Sequence, residues 1–172
     1  NVITTFNTSD GHKMYVDGNT TPVDTDTVNK SALQSSSERM LIGVRDSSTG
    51  VIDTARYFNG QIDGISIYNY ALSSSQVTTL YGSSSTGIGN PMSLSPAPVA
   101  YYPLGDQDAF NGSNYLVPNS SLKDYVFGFN GINDYIDFGN LSVYEPTSNY
   151  TFSIWFNSGD YVYKTLFGDT SN

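Results

Sequence analysis

From Gln61 to Tyr68 the chain reads QIDGISIY. This alternation puts Asp63, Ile65 and Ile67 on one face of a strand and Ile62, Gly64, Ser66 and Tyr68 on the other. The period then changes. Ser73 stands as an N-cap with Gln76 at N3, the pattern of a capping box, and Leu72 and Val77 occupy the N′ and N4 positions of a hydrophobic staple. Leu80 and Tyr81 continue the apolar stripe, and Gly82 supplies the stop. The expected helix, near 73–81, has about two turns and is too short to hold itself in water. It must lie on a sheet.

The rest of the chain reads as β. Val2–Phe6, Lys13–Val16, Met40–Val44, Val99–Leu104, Tyr125–Phe129, Tyr135–Phe138, Thr151–Asn157 and Tyr161–Phe167 are strand-like, and Asp17-Gly18 and Asn130-Gly131 are turn signals. The polar run 19–39 is expected to wrap the surface and 46–50 to form a loop. Residues 83–98, SSSTGIGNPMSLSPAP, are rich in Ser, Gly and Pro and read as a linker between 1–82 and 99–172. About nine strands and one short helix predict an all-β, antiparallel sandwich.

Composition narrows the chemistry. The net charge is −9, and all but two of the 16 acidic residues (Glu38 and Glu145) are Asp, a turn-forming carboxylate. Seven scattered Lys and Arg make no basic patch, which argues against nucleic acid as a partner. There is no cysteine, hence no disulfide and no thiolate metal site. No apolar run approaches the roughly 20 residues of a membrane-spanning helix. Without an initiator Met or a signal peptide, the chain is expected to be a segment of something longer or a processed product.

Three blocks resemble laminin-G-like modules of the concanavalin A-like lectin/glucanase superfamily, of the kind found in bacterial and phage surface proteins. Residues 4–18, TTFNTSDGHKMYVDG, are similar to a mid-domain hairpin; 58–81 to the closing strand and helix (F-x-G-x-I-D, I-x-Y-N, A-L-S); and 99–156 to the opening strands (VAYYPL, FNGINDYIDFGN, YTFSIWF). The resemblance implies a jelly-roll fold. It also shows the closing half, 1–82, ahead of the opening half, 99–172. Either the chain is a window cut from a tandem array, or the halves pack together as one permuted or strand-exchanged sandwich.

Site candidates follow from the resemblance and from the residues themselves. The resemblance implies a calcium site with Asp63 in the closing strand and Asp106 near the opening one. Asp108 and carbonyls of the 105–112 loop would complete the six to eight oxygens calcium takes. The competing role for both carboxylates is local turn chemistry. Trp155 alternates with Phe152, Ile154 and Phe156, and an exposed indole there would be a sugar-stacking platform; burial under a loop is the structural alternative. Tyr101, Tyr102, Tyr135, Tyr161 and Tyr163 can present hydroxyls to sugars, although Tyr is also a good strand residue. His12 is expected in a turn, exposed and without metal partners.

Nothing marks a catalytic apparatus. The carboxylate motif E-x-D-x-x-E and the nucleophile elbow G-x-S-x-G are both absent. Seven Asn-x-Ser/Thr sequons are the number a chain this rich in those residues generates, and they count only in a glycosylating host. The expectation is a non-catalytic recognition or adhesion module at a cell or virion surface, binding glycans. The alternative is a structural repeat held by neighbouring subunits.

Overall fold

The computed structural model describes residues 1–28, 39–48, 51–82, 89–103, 127–140, 149–159 and 165–168. Its strands are β1 (Val2–Asn7), β2 (Gly11–Val16), β3 (Asp24–Asp26), β4 (Arg39–Ile42), β5 (Asp46–Ser48), β6 (Val51–Ile52) and β7 (Asn59–Tyr68). The helix α1 (Ser74–Tyr81) follows, then β8 (Ala100–Tyr102), β9 (Phe127–Asn130), β10 (Ile136–Asn140), β11 (Tyr150–Ser158) and β12 (Phe167–Gly168). All strand pairings with a described register are antiparallel. Among the described residues, antiparallel sheet with a single α-helix is the all-β content expected of a jelly roll. The chain divides into two compact units: Asn1–Leu33, Asp63–Tyr125 and Pro146–Trp155 form the first, and Gln34–Ile62, Val126–Glu145 and Phe156–Asn172 the second.

In the first unit the strand order is β3-β2-β1-β11-β7-β8. Asp17 and Gly18 both take positive φ, 50° and 67°, and the Asn19 N–H closes onto the Val16 carbonyl at 3.1 Å, which makes a tight turn after β2. β1 lies between β2 and β11, with Ile3 opposite Tyr15 on one side and Ser153 on the other. β7 pairs with β8 through Ser66 and Tyr101. Strands from both sides of the 83–98 segment are therefore hydrogen-bonded to each other. The described part of that segment, 89–98, is packed: Pro91 and Leu94 are buried, and the Tyr70 hydroxyl donates to the Pro96 carbonyl at 2.6 Å.

Helix α1 forms for the reasons its sequence announces. The Ser73 hydroxyl accepts from the Gln76 N–H at 3.3 Å, while the Gln76 side chain accepts from the Ser73 N–H at 2.9 Å. Leu72, Val77 and Leu80 are buried with Ile3, Tyr15, Tyr68 and Leu94 in one apolar cluster. This is the burial that a helix of eight residues needs from a sheet. Thr151 ties the helix entry to the sheet, accepting from the Leu72 N–H at 2.9 Å and donating to the Tyr70 carbonyl at 2.8 Å.

In the second unit β4 is central, paired with β10 and β12. Leu41, Val44 and Tyr57 are buried there, with Ile52 packed against them. The first residues of β7 pair with β9, Asn59 opposite Asn130 and Ile62 opposite Phe127. Phe58 meets Phe129 and Phe156 edge-on, each at 6.1 Å.

Three expectations change. Residues 24–26, inside the polar run, form β3 against β2, because strand pairing holds a short polar segment whose own sequence carries no alternation. Residues 46–48 form β5, paired with β6, where a loop was expected. His12 is half-buried in β2 rather than exposed in a turn, with its ring 4.6 Å from that of Phe6 and its Nδ1 3.3 Å from the Tyr150 hydroxyl.

Candidate functional site

Trp155 projects from β11 on the face that carries Thr151 and Ser153. Both of those residues are buried, so this face is covered as far as Ser153. The indole lies almost parallel to the Tyr81 ring at the end of α1, at 5.3 Å and 13°. Its other neighbour is Gly64, whose φ of 54° favours glycine and where a Cβ would stand 3.4 Å from the indole Cδ1. Tyr81 in turn sits over Gly18, where any side chain would collide with the ring. One face of Trp155 is therefore occupied by a protein aromatic, and the side chain remains only half-buried.

Tyr101 and Tyr102 lie on opposite faces of β8, across from Ser66 and Ile65. Both are half-buried. Tyr68, on the Ser66 side, is fully buried; desolvation pushes its phenol up to about 12, partly offset by the nearby Ser66 hydroxyl. Among the described residues, neither the Tyr68 hydroxyl nor the Ser66 hydroxyl completes a hydrogen bond. The Tyr70 phenol is also raised by burial, opposed by Gln76.

Asp63 lies on β7 with Ile65 and Ile67 and is half-buried. The next residue, Gly64, donates its N–H to the Pro103 carbonyl at 3.4 Å, so β8 ends beside Asp63. Asp106 and Asp108 lie outside the described residues, as do Tyr161 and Tyr163. Among the described residues, no group of three or more His, Cys, Asp or Glu is gathered as a metal cage would require.

Tyr135 belongs to a different setting, in the second unit. The turn between β9 and β10 is built around Asn130, whose Oδ1 accepts from the N–H groups of Ile132 at 2.8 Å, Asn133 at 3.0 Å and Asp134 at 3.4 Å. The Asn130 Nδ2 donates to Asn133 Oδ1 at 2.7 Å, and the Asn130 N–H donates to Asp134 Oδ2 at 3.0 Å. Gly131 takes a φ of 71° at the bend. The turn thus satisfies its own backbone and leaves apolar side chains outside: Phe127 is 50% exposed, Ile132 73% and Tyr135 40%. Beside it opens a cleft of ≈ 330 Å³ lined by Phe127, Phe129, Asn133, Asp134, Tyr135 and Ile136.

Of the aromatic candidates, Trp155 and Tyr101 thus share one face of a sheet, Tyr102 lies on the other, and Tyr135 lines a separate cleft. Phe127, Asn133 and Asp134 escaped the sequence reading. The signal available is the Asn130-Gly131 turn within FNGINDYIDFGN, which brings its flanking residues together.

Residues 1–78 match the family described as the concanavalin A-like lectin/glucanases superfamily. No curated protein and no solved structure shows a significant match.

Proposed function

We propose that this chain is a non-catalytic recognition module of a larger surface or virion protein, exposed to the exterior and binding glycans. The superfamily match over 1–78 supports a carbohydrate-binding or adhesion-type module. The observation that carries the glycan reading is the cleft of the second unit, where exposed aromatic rings stand next to amide and carboxylate groups. Sugars present the same combination, an apolar C–H face rimmed by hydroxyls. A glycan array probed with the whole chain and with Tyr135→Ala and Trp155→Ala tests this. Binding to no glycan ends the reading, and the variant that loses binding assigns the platform.

Calcium is part of the proposal. Asp63 would supply one oxygen, with Asp106 and Asp108 following β8 in the chain as further ligands. Thermal melting with calcium and with chelator checks it: equal melting temperatures exclude all three carboxylates.

A second reading, a structural repeat held by neighbouring subunits, draws on the edge strand β3. It is flanked by Val23 and Val28, 55% and 86% exposed. Against it, Asp24 and Asp26 put like charges on that edge, a common guard against strand pairing. Sedimentation velocity across a hundredfold concentration range, with Val28→Glu as control, separates the readings.

A further inference from the structure

We infer that the cleft between β9 and β10 takes a single neutral pyranose ring, with its C–H face on Phe127 and Tyr135 and its hydroxyls on Asp134. The inference rests on the glycan reading and names its site and sugar class. Size sets the first limit. A cleft of ≈ 330 Å³ is at the small end of ligand sites, enough to seat one ring.

Chemistry sets the second. Phe127 and Tyr135 keep much of their surface in water, and both line the cleft. Covering them with the axial C–H face of a sugar removes apolar area that the fold itself leaves uncovered. Asp134 then provides what the equatorial hydroxyls need. Its Oδ2 is held by the Asn130 N–H, which orients the carboxylate, and a carboxylate has about four acceptor positions against the one this bond uses. Hydroxyl donors on a carboxylate make the stronger, charge-assisted class of hydrogen bond.

Order and charge complete the case. The Asn130 side chain bonds four groups within the turn, so the cleft's polar rim is organised before a ligand arrives and binding orders little more. A carboxylate in the cleft, on a chain of net charge −9, repels uronic and sulfated sugars. The ring therefore carries no acidic group, and the neutral sugars are the class proposed.

The test is a ¹H–¹⁵N NMR titration of the whole chain with the methyl glycosides of glucose, galactose, mannose and N-acetylglucosamine, with methyl glucuronide as the charged comparison. At least one neutral glycoside should shift the amides of 128–136 saturably, and the glucuronide should bind at least about tenfold more weakly. Asp134→Asn, which keeps an acceptor for the Asn130 N–H, should weaken the neutral glycoside by about ten- to a hundredfold. Tyr135→Ala should abolish saturation. Where a turn variant loses the dispersed spectrum of the folded chain, Phe127→Ala, at a half-exposed side chain, serves in its place and should also abolish saturation.

Equal or tighter binding of the glucuronide overturns the inference, as does the absence of any neutral glycoside effect at 128–136. Saturable shifts confined to the surroundings of Trp155 overturn this site and leave the glycan reading standing. An array without hits removes the glycan reading itself.

Discussion

The helix-covered face of the first unit and the β9–β10 turn of the second use aromatic side chains in opposite ways. On the first, Trp155 is met by Tyr81 and Tyr68 is closed in among Ile3, Leu72, Val77 and Leu80. Each ring there is a packing surface whose partner comes from another element. At the turn, Phe127 keeps 50% and Tyr135 40% of its surface in water, although the Tyr135 ring meets that of Tyr57 at 6.4 Å, and the backbone beneath them is fastened by one asparagine. Cohesion comes from side chains in one place and from backbone hydrogen bonds in the other. A surface that is to receive a ligand has to be rigid without being covered, and only the second arrangement achieves both.

That contrast can be broken by substitution, and the largest effect belongs to the covered face. Leu80→Ala removes a buried anchor of α1 and should cost about 2–5 kcal/mol in urea denaturation. A loss below about 1 kcal/mol would show that the helix is not what holds this face together.

Alkaline pH comes next. The phenol of Tyr68 is at about 12 in the fold against 10.0 for an ordinary tyrosine. Between those values the folded state holds a proton that the unfolded state has released, so stability falls as pH rises from about 10 to 12, by up to about 2–3 kcal/mol. Tyr68→Phe should remove that loss. Because the hydroxyl has no hydrogen-bond partner, the substitution should be neutral or slightly stabilising at pH 7. Denaturation midpoints at several pH values, wild type against variant, check both points.

Smaller effects sharpen the comparison. Thr151→Val leaves the buried Leu72 N–H unpaired and should cost about 1–3 kcal/mol. Ser73→Ala removes the cap of α1 for about 1 kcal/mol. Phe127→Ala, by contrast, should change stability by less than about 0.5 kcal/mol while removing glycan binding. A stability loss as large as that of Leu80→Ala would mean that Phe127 is packing material after all.

The covered face was largely legible in the sequence. Ser73, Gln76, Leu72, Val77 and Gly82 announce α1 because capping and stapling act over a few residues, and the alternation in 61–68 and 151–157 is legible because successive side chains of a strand point to opposite faces. β3 and β5 were not legible, since their residues are polar and only a partner strand makes them extended. The cleft was half-legible. Tyr135 stands out as an aromatic in a strand-like stretch, but Asp134 is brought to it by the hydrogen bonds of Asn130 and Phe127 by the pairing of β9 with β7. Trp155 shows the converse: alternation places it on a face, and only the described contact with Tyr81 says what lies over that face.

The pairing of β1 with β11 carries a consequence in time. Asn1 bonds to Ser153, 152 positions away, and β1 runs along β11 from Val2 to Phe6. Until Tyr150–Ile154 has been synthesised, β1 has β2 on one side and an open edge on the other. Closing so long a loop costs entropy before any contact repays it, which makes the assembly of this sheet slow. A half-built sheet with a free edge is also the species most exposed to wrong pairing.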